Sequence, residues 1–207
     1  MQAPVTHRPN AVPLRPSLTP ADFQRAAARL GTDVAAIKAV CAVEAPRGAF
    51  MSTGEPTILF ERHKFYDYTD GRFYKDNPDI CNPRSGGYGP YAVQHERLQR
   101  ATKLDRAAAL KATSWGLFQI LGVNYSQAGF PTLQAFINAM YDSAASQLDA
   151  FVTFVANDPT LANALKAHDW ATFAKGYNGR GYAKKGYDKK LAAAYAEATA
   201  EATAEGQ

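Results

Sequence analysis

Glu44 is the residue in this chain best placed for acid–base chemistry. It follows the apolar run Val40–Val43, which has helical spacing, and Pro46 stops the helix soon afterwards. A carboxyl group buried without partners is disfavoured in its charged form, so its pKa rises and it stays protonated near neutral pH. A protonated carboxyl is the general acid that glycoside hydrolysis requires. The alternative is an ordinary helix-terminal glutamate that faces solvent, although the helix dipole disfavours an anion there.

Glu61 is the candidate for a second carboxylate. It follows the strand-like segment Thr57–Phe60 and precedes three basic residues, Arg62, His63 and Lys64. Positive neighbours favour the ionised form of a carboxyl group. An ionised carboxylate opposite a protonated one is the arrangement used in glycoside hydrolysis, where it activates water or supports positive charge on the sugar. The alternative is a surface ion pair with Arg62 or Lys64.

The segment Ser114-Trp115-Gly116 and the nearby Gln119 are predicted to contact a ligand. Gly116 has no Cβ, which lets the backbone approach a bound molecule closely. The Gln119 side chain can both donate and accept hydrogen bonds, which suits a sugar hydroxyl or N-acetyl group. Trp115 is interpreted either as a platform for a sugar ring or as a core residue.

The segment Tyr177-Asn178-Gly179 is predicted to form a sharp corner after a helix. Such a corner would offer a phenol and an amide to a cleft. The alternative is a plain helix C-cap with Gly179 in the left-handed αL conformation.

These residues must be positioned by a mainly helical fold with a small β element near residues 56–61. Capping signals and apolar periodicity predict helices at Phe23–Leu30, Val34–Ala45, Glu61–Tyr68, Gln94–Lys103, Asp105–Thr113, Leu133–Met140, Asp142–Asn157, Pro159–Ala167, Asp169–Tyr177 and Asp188–Ala200. Residues 46–93 form a long segment punctuated by Gly and Pro, which is typical of functional loops. The predicted organisation is a Pro-rich leader over 1–17, one catalytic domain over 18–200 and a frayed tail over 201–207.

Composition narrows the classes of function. The excess of 23 basic over 19 acidic residues gives a net charge of +4, which favours polyanionic surfaces without indicating nucleic-acid binding. No apolar run is long enough for a membrane span, and the N-terminus has no signal-peptide core. We expect no metal site, because Cys41 and Cys81 have no histidine at ligand spacing. They are interpreted as two free thiols, and a disulfide between them stays open.

The chain resembles one family, the phage-type N-acetylmuramidases of endolysins, within the lysozyme-like superfamily. The resemblance runs from about Thr19 to about Tyr195. The matching stretches are Ala36–Glu44, Pro56–Phe65 with Leu-Phe-Glu-Arg-His, Asn82–Tyr88 with Gly-Gly-Tyr, Ala112–Gly122 with Ser-Trp-Gly-Leu-Phe-Gln-Ile-Leu-Gly, and Asp169–Tyr182 with Gly-Tyr-Asn-Gly.

The resemblance implies an α+β lysozyme-like fold, a helical bundle around a substrate cleft. It also implies cleavage of the bond from N-acetylmuramic acid to N-acetylglucosamine in peptidoglycan, with Glu44 as the acid and no cofactor. Ser114, Trp115, Gln119, Tyr177 and Asn178 are the expected substrate-binding residues. We expect the protein to be a monomer that does not insert stably in the membrane. It would reach the periplasm or cell wall through a holin or by secretion.

Two other functions remain open. A lytic transglycosylase would use the muramic acid C6 hydroxyl in place of water. Transglycosylases usually have Ser after the catalytic Glu, whereas Ala45-Pro46 follows Glu44, which favours the hydrolase. The other alternative is a wall-binding protein that keeps the cleft but has no activity. A further possibility is that the mild basic charge of the chain and its helical C-terminus disturb outer membranes directly.

Overall fold

A computed structural model describes residues 17–205 of the chain. Helices account for most of this part. In chain order they are α1 (Pro20–Leu30), α2 (Val34–Glu44), α3 (Arg62–Tyr68), α4 (Gln94–Leu104), α5 (Arg106–Lys111), α6 (Leu133–Asp142), α7 (Ala144–Ala156), α8 (Pro159–Lys166), α9 (Trp170–Asn178), α10 (Tyr182–Lys185) and α11 (Tyr187–Glu205). Short 3₁₀ turns cover Tyr91–Val93 and Gly122–Asn124.

Local capping chemistry explains where α1 begins and ends. The Thr19 backbone N–H donates to the Asp22 carboxylate at 2.7 Å, and the Thr19 hydroxyl accepts from the Asp22 N–H at 3.3 Å. Pro20 occupies the first helical position, where its missing N–H costs nothing. Gly31 ends the helix with φ +64°, a conformation that glycine adopts without strain. The sequence Thr19-Pro20-Ala21-Asp22 by itself predicts this start, with Thr19 as N-cap and Pro20 at the first helical position, and the structure confirms it.

Helix α2 lies in the core, and α11 covers it. Ile37 and Val40 of α2 are fully buried. The Tyr195 hydroxyl of α11 donates to Asp33, which caps the start of α2, at 3.0 Å. Lys190, nearer the start of α11, acts electrostatically on Glu44 at the other end of α2. The two helices therefore run antiparallel, and the first turns of α11 lie beside Glu44.

A three-stranded antiparallel sheet packs beside the helices. Its strands are β1 (Ile58–Phe60), β2 (Thr113–Trp115) and β3 (Ile120–Leu121), in the order β1-β2-β3. Leu59 lies opposite Ser114, and Trp115 lies opposite Ile120. The predicted β element near residues 56–61 is confirmed as β1, whereas β2 and β3 are additions to the predicted structure.

Several predicted helix bounds need correction. The helix predicted over Asp105–Thr113 ends at Lys111, because Thr113 already pairs with Phe60 in the sheet. The helix predicted from Asp142 begins at Ala144, since Ser143 is extended and caps α7. The tail predicted to fray from residue 201 is helical through Glu205. The predicted leader lies outside the described residues except for Ser17.

The two cysteines are free thiols, one of the two states that the sequence left open. Burial raises the pKa of Cys41 to about 12. Cys81 is buried, and its Sγ lies 3.8 Å from the Thr69 hydroxyl. Neither position has the exposed, electropositive surroundings of a reactive cysteine. Within residues 17–205, no helix combines the length and hydropathy needed to cross a bilayer.

Two buried glutamines join segments that the backbone ladders leave unconnected. Gln147 of α7 accepts from the Leu117 N–H at 2.6 Å and donates to the Met140 carbonyl at 2.8 Å. Gln94 of α4 accepts from the Phe60 N–H at 3.0 Å and donates to the Tyr88 carbonyl at 2.7 Å. Each amide satisfies backbone groups that would otherwise be buried unpaired, so these side chains fix loop positions beside the sheet.

We predict that Gln147→Met lowers the free energy of unfolding by about 2–4 kcal/mol, because it leaves the Leu117 N–H and the Met140 carbonyl buried without partners. Urea denaturation followed by circular dichroism measures the change. Gln24→Met, on the exposed face of α1, is the matched control and should change stability by no more than about 0.5 kcal/mol. Equal stability of the two variants would contradict the role given to Gln147.

Candidate active site

The Glu44 carboxyl is the centre of the candidate site. Glu44 is the last residue of α2 and is half-buried. The Asn178 amide Nδ2 donates to both carboxyl oxygens, at 2.9 Å to Oε1 and 3.1 Å to Oε2. Burial raises the pKa of Glu44, and the Asn178 hydrogen bond and the Lys190 charge partly offset that rise. Glu44 therefore has the raised pKa expected of it, instead of facing solvent freely.

A narrow recess opens beside Glu44. Three parts of the chain line it: the end of α2 with the turn that follows, the residue before β1, and the loop between β2 and β3. The lining residues are Glu44, Ala45, Pro46, Arg47, Gly48, Thr57, Gly116, Leu117 and Gln119. The structure thus brings Glu44 and Gln119, which are 75 positions apart in the sequence, to one small space.

The loop between β2 and β3 is held in a strained conformation. Gly116 has φ +69°, and a Cβ at this position would lie 2.7 Å from the Gln147 side chain. Gln119 has φ +49°, which is uncommon for a residue other than glycine. Its Nε2 donates to the Gly116 carbonyl at 2.8 Å. Strain of this kind persists where surrounding contacts impose it, and it often marks functional sites.

Several polar atoms at the recess have no hydrogen-bond partner. Within the described part of the chain, the Thr57 hydroxyl, Gln119 Oε1 and Asn178 Oδ1 are buried and unpaired. Thr57 and Gln119 line the recess, and Asn178 holds Glu44. Buried polar groups are normally satisfied, so unpaired ones at a recess are suited to receive the hydroxyl and amide groups of a ligand. Thr57 was not predicted, because a lone threonine before a strand has no sequence signal.

Tyr177 supports the site instead of facing it. Its hydroxyl donates to the Phe118 carbonyl at 2.7 Å. Its ring stacks on Phe173, with the centroids 5.6 Å apart, and meets Phe151 edge-on. Burial, and then the Glu44 charge, hold the pKa of Tyr177 well above its ordinary value. The phenol therefore stays neutral and braces the Phe118 end of the loop.

The corner after α9 differs from the plain C-cap considered in the sequence. Gly179 has φ +77° and ψ −175°, which lies outside the αL region. This backbone conformation is essentially restricted to glycine. Asn178, the residue before it, directs its side-chain amide to Glu44.

Ser114 and Trp115 point to opposite sides of β2. Trp115 is 1% exposed, and its indole N–H donates to the Leu110 carbonyl at 3.1 Å. This placement corresponds to the core role, because so deeply buried a ring offers no face to a sugar. The Ser114 hydroxyl donates to Glu61 Oε1 at 2.8 Å. Ser114 thus orients the second candidate carboxylate.

Glu61 lies at the end of β1 remote from Thr57 and outside the recess. Its side chain is 20% exposed, and Oε2 lies 3.9 Å from His63 Nε2. The Tyr88 hydroxyl lies 3.0 Å from His63 Nδ1. No ion pair joins Glu61 to Arg62 or Lys64 within residues 17–205. The partners of Glu61 are therefore Ser114 and His63. The contact between His63 and Tyr88 was not predicted, because the two residues are 25 positions apart in the sequence.

The family of this chain follows from its similarity to known proteins. The family model for N-acetylmuramidase matches residues 33–199. The chain belongs to the N-acetylmuramidase family. The crystal structure of the Burkholderia AP3 phage endolysin is 43% identical over 89% of this chain and 72% of that chain, with a TM-score of 0.83. Comparison with curated protein sequences gave no significant match.

These findings confirm two expectations. The resemblance to phage-type N-acetylmuramidases is confirmed, and so is the mainly helical, lysozyme-like fold with a small sheet. Glu44, Glu61, Gln119 and Asn178 all lie within the segment that matches the muramidase family.

We predict that Glu44→Gln makes this muramidase-family protein more stable at neutral pH. Because burial raises the folded-state pKa of Glu44, the folded protein keeps that proton to a higher pH than the unfolded chain. The carboxyl therefore costs no stability well below the unfolded-state pKa, and the cost grows as the pH rises from that value toward the folded-state pKa. The melting temperature at pH 7 should therefore be higher for Glu44→Gln than for the wild-type protein.

Differential scanning calorimetry at neutral and acidic pH tests this expectation. The gain should shrink as the pH falls toward about 4, where the carboxyl is protonated in both states. Glu96→Gln, at an exposed position on α4, is the control and should show no such trend. A gain for Glu44→Gln that does not depend on pH would rule out the ionisation argument.

Proposed function

We propose that this protein is a peptidoglycan hydrolase that cleaves the β-1,4 bond from N-acetylmuramic acid to N-acetylglucosamine, with Glu44 as the general acid. The observation that carries the proposal is the half-buried Glu44 carboxyl, which has a raised pKa and opens onto a recess lined by unpaired polar atoms. Membership of the N-acetylmuramidase family and similarity to a phage endolysin support the same substrate. We further propose that the protein is a monomer and reaches the cell wall by holin-dependent release or by secretion.

In the proposed reaction, the protonated Glu44 donates its proton to the glycosidic oxygen as the leaving sugar departs. Burial keeps that proton on the carboxyl, and a substrate that fills the recess would exclude more water and strengthen this effect. The Asn178 amide holds both carboxyl oxygens, which fixes the direction of proton transfer. After transfer, the same amide stabilises the carboxylate that remains.

Gln119 is proposed to hold the sugar that occupies the recess. Its Nε2 is engaged by the Gly116 carbonyl, so its free Oε1 would accept from a hydroxyl or an acetamido N–H. Thr57 offers a second unpaired oxygen. Tyr177 and Trp115 do not contact the sugar in this proposal. Tyr177 holds the loop after β2, and Trp115 holds strand β2 itself.

Glu61 is proposed as the second carboxylate, either as the base that activates water or as support for positive charge on the sugar. The Ser114 hydroxyl donates to Oε1 of Glu61, and Oε2 lies 3.9 Å from His63 Nε2. Since Glu61 lies outside the recess at the far end of β1, this role requires the scissile bond to lie between Glu44 and Glu61, because the two carboxyl groups of a glycoside hydrolase flank one bond.

The products released from purified peptidoglycan test the reaction. We predict that the wild-type protein releases soluble fragments with reducing muramic acid ends and that Glu44→Gln lowers their rate of release by at least about 100-fold. Mass spectrometry of the fragments is the measurement. Fragments that are one water lighter would carry anhydro ends and would replace the hydrolase with a lytic transglycosylase. If neither protein releases fragments, the chain is a binding module.

A second variant tests the role of Glu61. We predict that Glu61→Gln lowers kcat by about 10²- to 10⁴-fold on peptidoglycan, because a neutral amide cannot activate water or stabilise positive charge. Glu96→Gln should retain full activity and serves as the matched control. Near-normal turnover by Glu61→Gln, with reducing ends still formed, would remove Glu61 from the chemical step.

A further inference from the structure

A dense group of positive charges lies in the segment around and after Asn178, the hydrogen-bond partner of Glu44. Between residues 175 and 190 the chain has six basic residues and one acidic residue, Asp188. All six basic residues are exposed. We call them the basic rim: Lys175, Arg180, Lys184, Lys185, Lys189 and Lys190.

The fold places the basic rim at the end of the molecule that holds the candidate acid. Asn178, which bonds Glu44, lies between the first two rim residues in the sequence. Helix α10 and the first turn of α11 follow, and α11 runs antiparallel to α2. Lys190 is near enough to Glu44 for its charge to lower the pKa of that carboxyl. A ligand bound at Glu44 would therefore lie beside the rim.

The rim cations are not used in internal ion pairs. Elsewhere in the protein, Arg25, Arg72 and Arg100 lie within 4 Å of carboxylate oxygens. In the described part of the chain, no rim residue has such a partner. The charge of the rim is therefore available to an external anion.

Helix stability accounts for only part of this placement. Lys175, Lys184 and Lys185 lie in the last turns of α9 and α10, where the helix dipole favours cations. Lys189 and Lys190 lie in the first turn of α11, where the helix dipole disfavours cations. Asp188 of the same turn agrees with the dipole. The dipole therefore explains three of the rim residues and leaves Arg180, Lys189 and Lys190 without an explanation from helix stability.

We infer that the basic rim binds the carboxylates of the peptide stems that project from the glycan strand. The inference rests on the proposed function, because a strand held at Glu44 would present the stems of its muramic acid residues beside the strand. Several cations that converge on a multivalent anion raise its local concentration and its association rate even where each exposed pair is weak. The rim would make the enzyme select glycan that carries charged stems.

Two substrates that differ only in stem charge test the inference. One is soluble glycan with intact peptide stems, and the other is the same glycan after carbodiimide coupling of its stem carboxylates to methylamine. We predict that the wild-type protein has about tenfold higher kcat/KM on the charged glycan at low salt. Added salt should reduce the preference, because about 0.1 M salt screens exposed charges beyond ~10 Å.

A triple variant assigns the preference to the rim. Lys184→Gln, Lys185→Gln and Lys189→Gln together should bring the two kcat/KM values within about twofold by lowering only the value for the charged glycan. The triple variant leaves out Lys190 because that residue acts on Glu44. The matched control replaces three exposed lysines outside the rim, Lys75, Lys103 and Lys166, and should keep the preference. Circular dichroism confirms that both variants fold.

The outcomes separate this inference from the proposed function. A wild-type protein that hydrolyses both glycans equally, or a rim variant that keeps the preference, overturns the rim inference and leaves the hydrolase intact. Failure to hydrolyse either glycan contradicts the proposed function and the rim with it. If the rim variant keeps the preference but loses binding to phosphatidylglycerol vesicles, the rim is a membrane-binding surface, and the inference is wrong.

Discussion

The structure depends most on holding an acidic side chain where both burial and the helix dipole oppose its charge. Glu44 ends α2, a helix whose inner face is packed in the core and whose C-terminus disfavours an anion. Without partners, an ionised carboxylate at this position would cost free energy, because burial removes it from water. The Asn178 amide and the charge of Lys190 limit that cost without removing it. The antiparallel packing of α11 on α2 and the corner at Gly179 bring these partners into place.

Around this carboxyl, the geometry is set by buried amides more than by regular secondary structure. The sheet has strands of only three, three and two residues, so its ladders cannot by themselves position the loops at its ends. Gln147 holds Leu117 in the loop beside Glu44, and Gln94 ties the end of β1 to the backbone of Tyr88. These fully satisfied polar groups restrict the loops more precisely than apolar packing would.

The parts predicted from sequence are those decided by local chemistry. The start of α1 follows from Thr19 and Pro20, and Glu44 was identified by its apolar neighbours and by the family resemblance. Strands β2 and β3 were missed because two or three residues show no periodicity and because β2 pairs with β1 more than fifty positions earlier. The partnership of Glu44 with Asn178 spans 134 positions, and no local pattern predicts a contact of that range.

The position of the basic rim reflects a conflict between attracting an anionic substrate and keeping the candidate acid protonated. Positive charge near a carboxyl lowers its pKa, and the effect grows as the distance shortens and water is excluded. A cluster of lysines against Glu44 would therefore attract glycan but remove the proton needed for its cleavage. In the structure, only Lys190 among the rim residues lowers the pKa of Glu44. The other five lie in α9, in α10, in the first turn of α11 and in the turn between α9 and α10. They add to the attractive field, while burial is the largest influence on the pKa of Glu44.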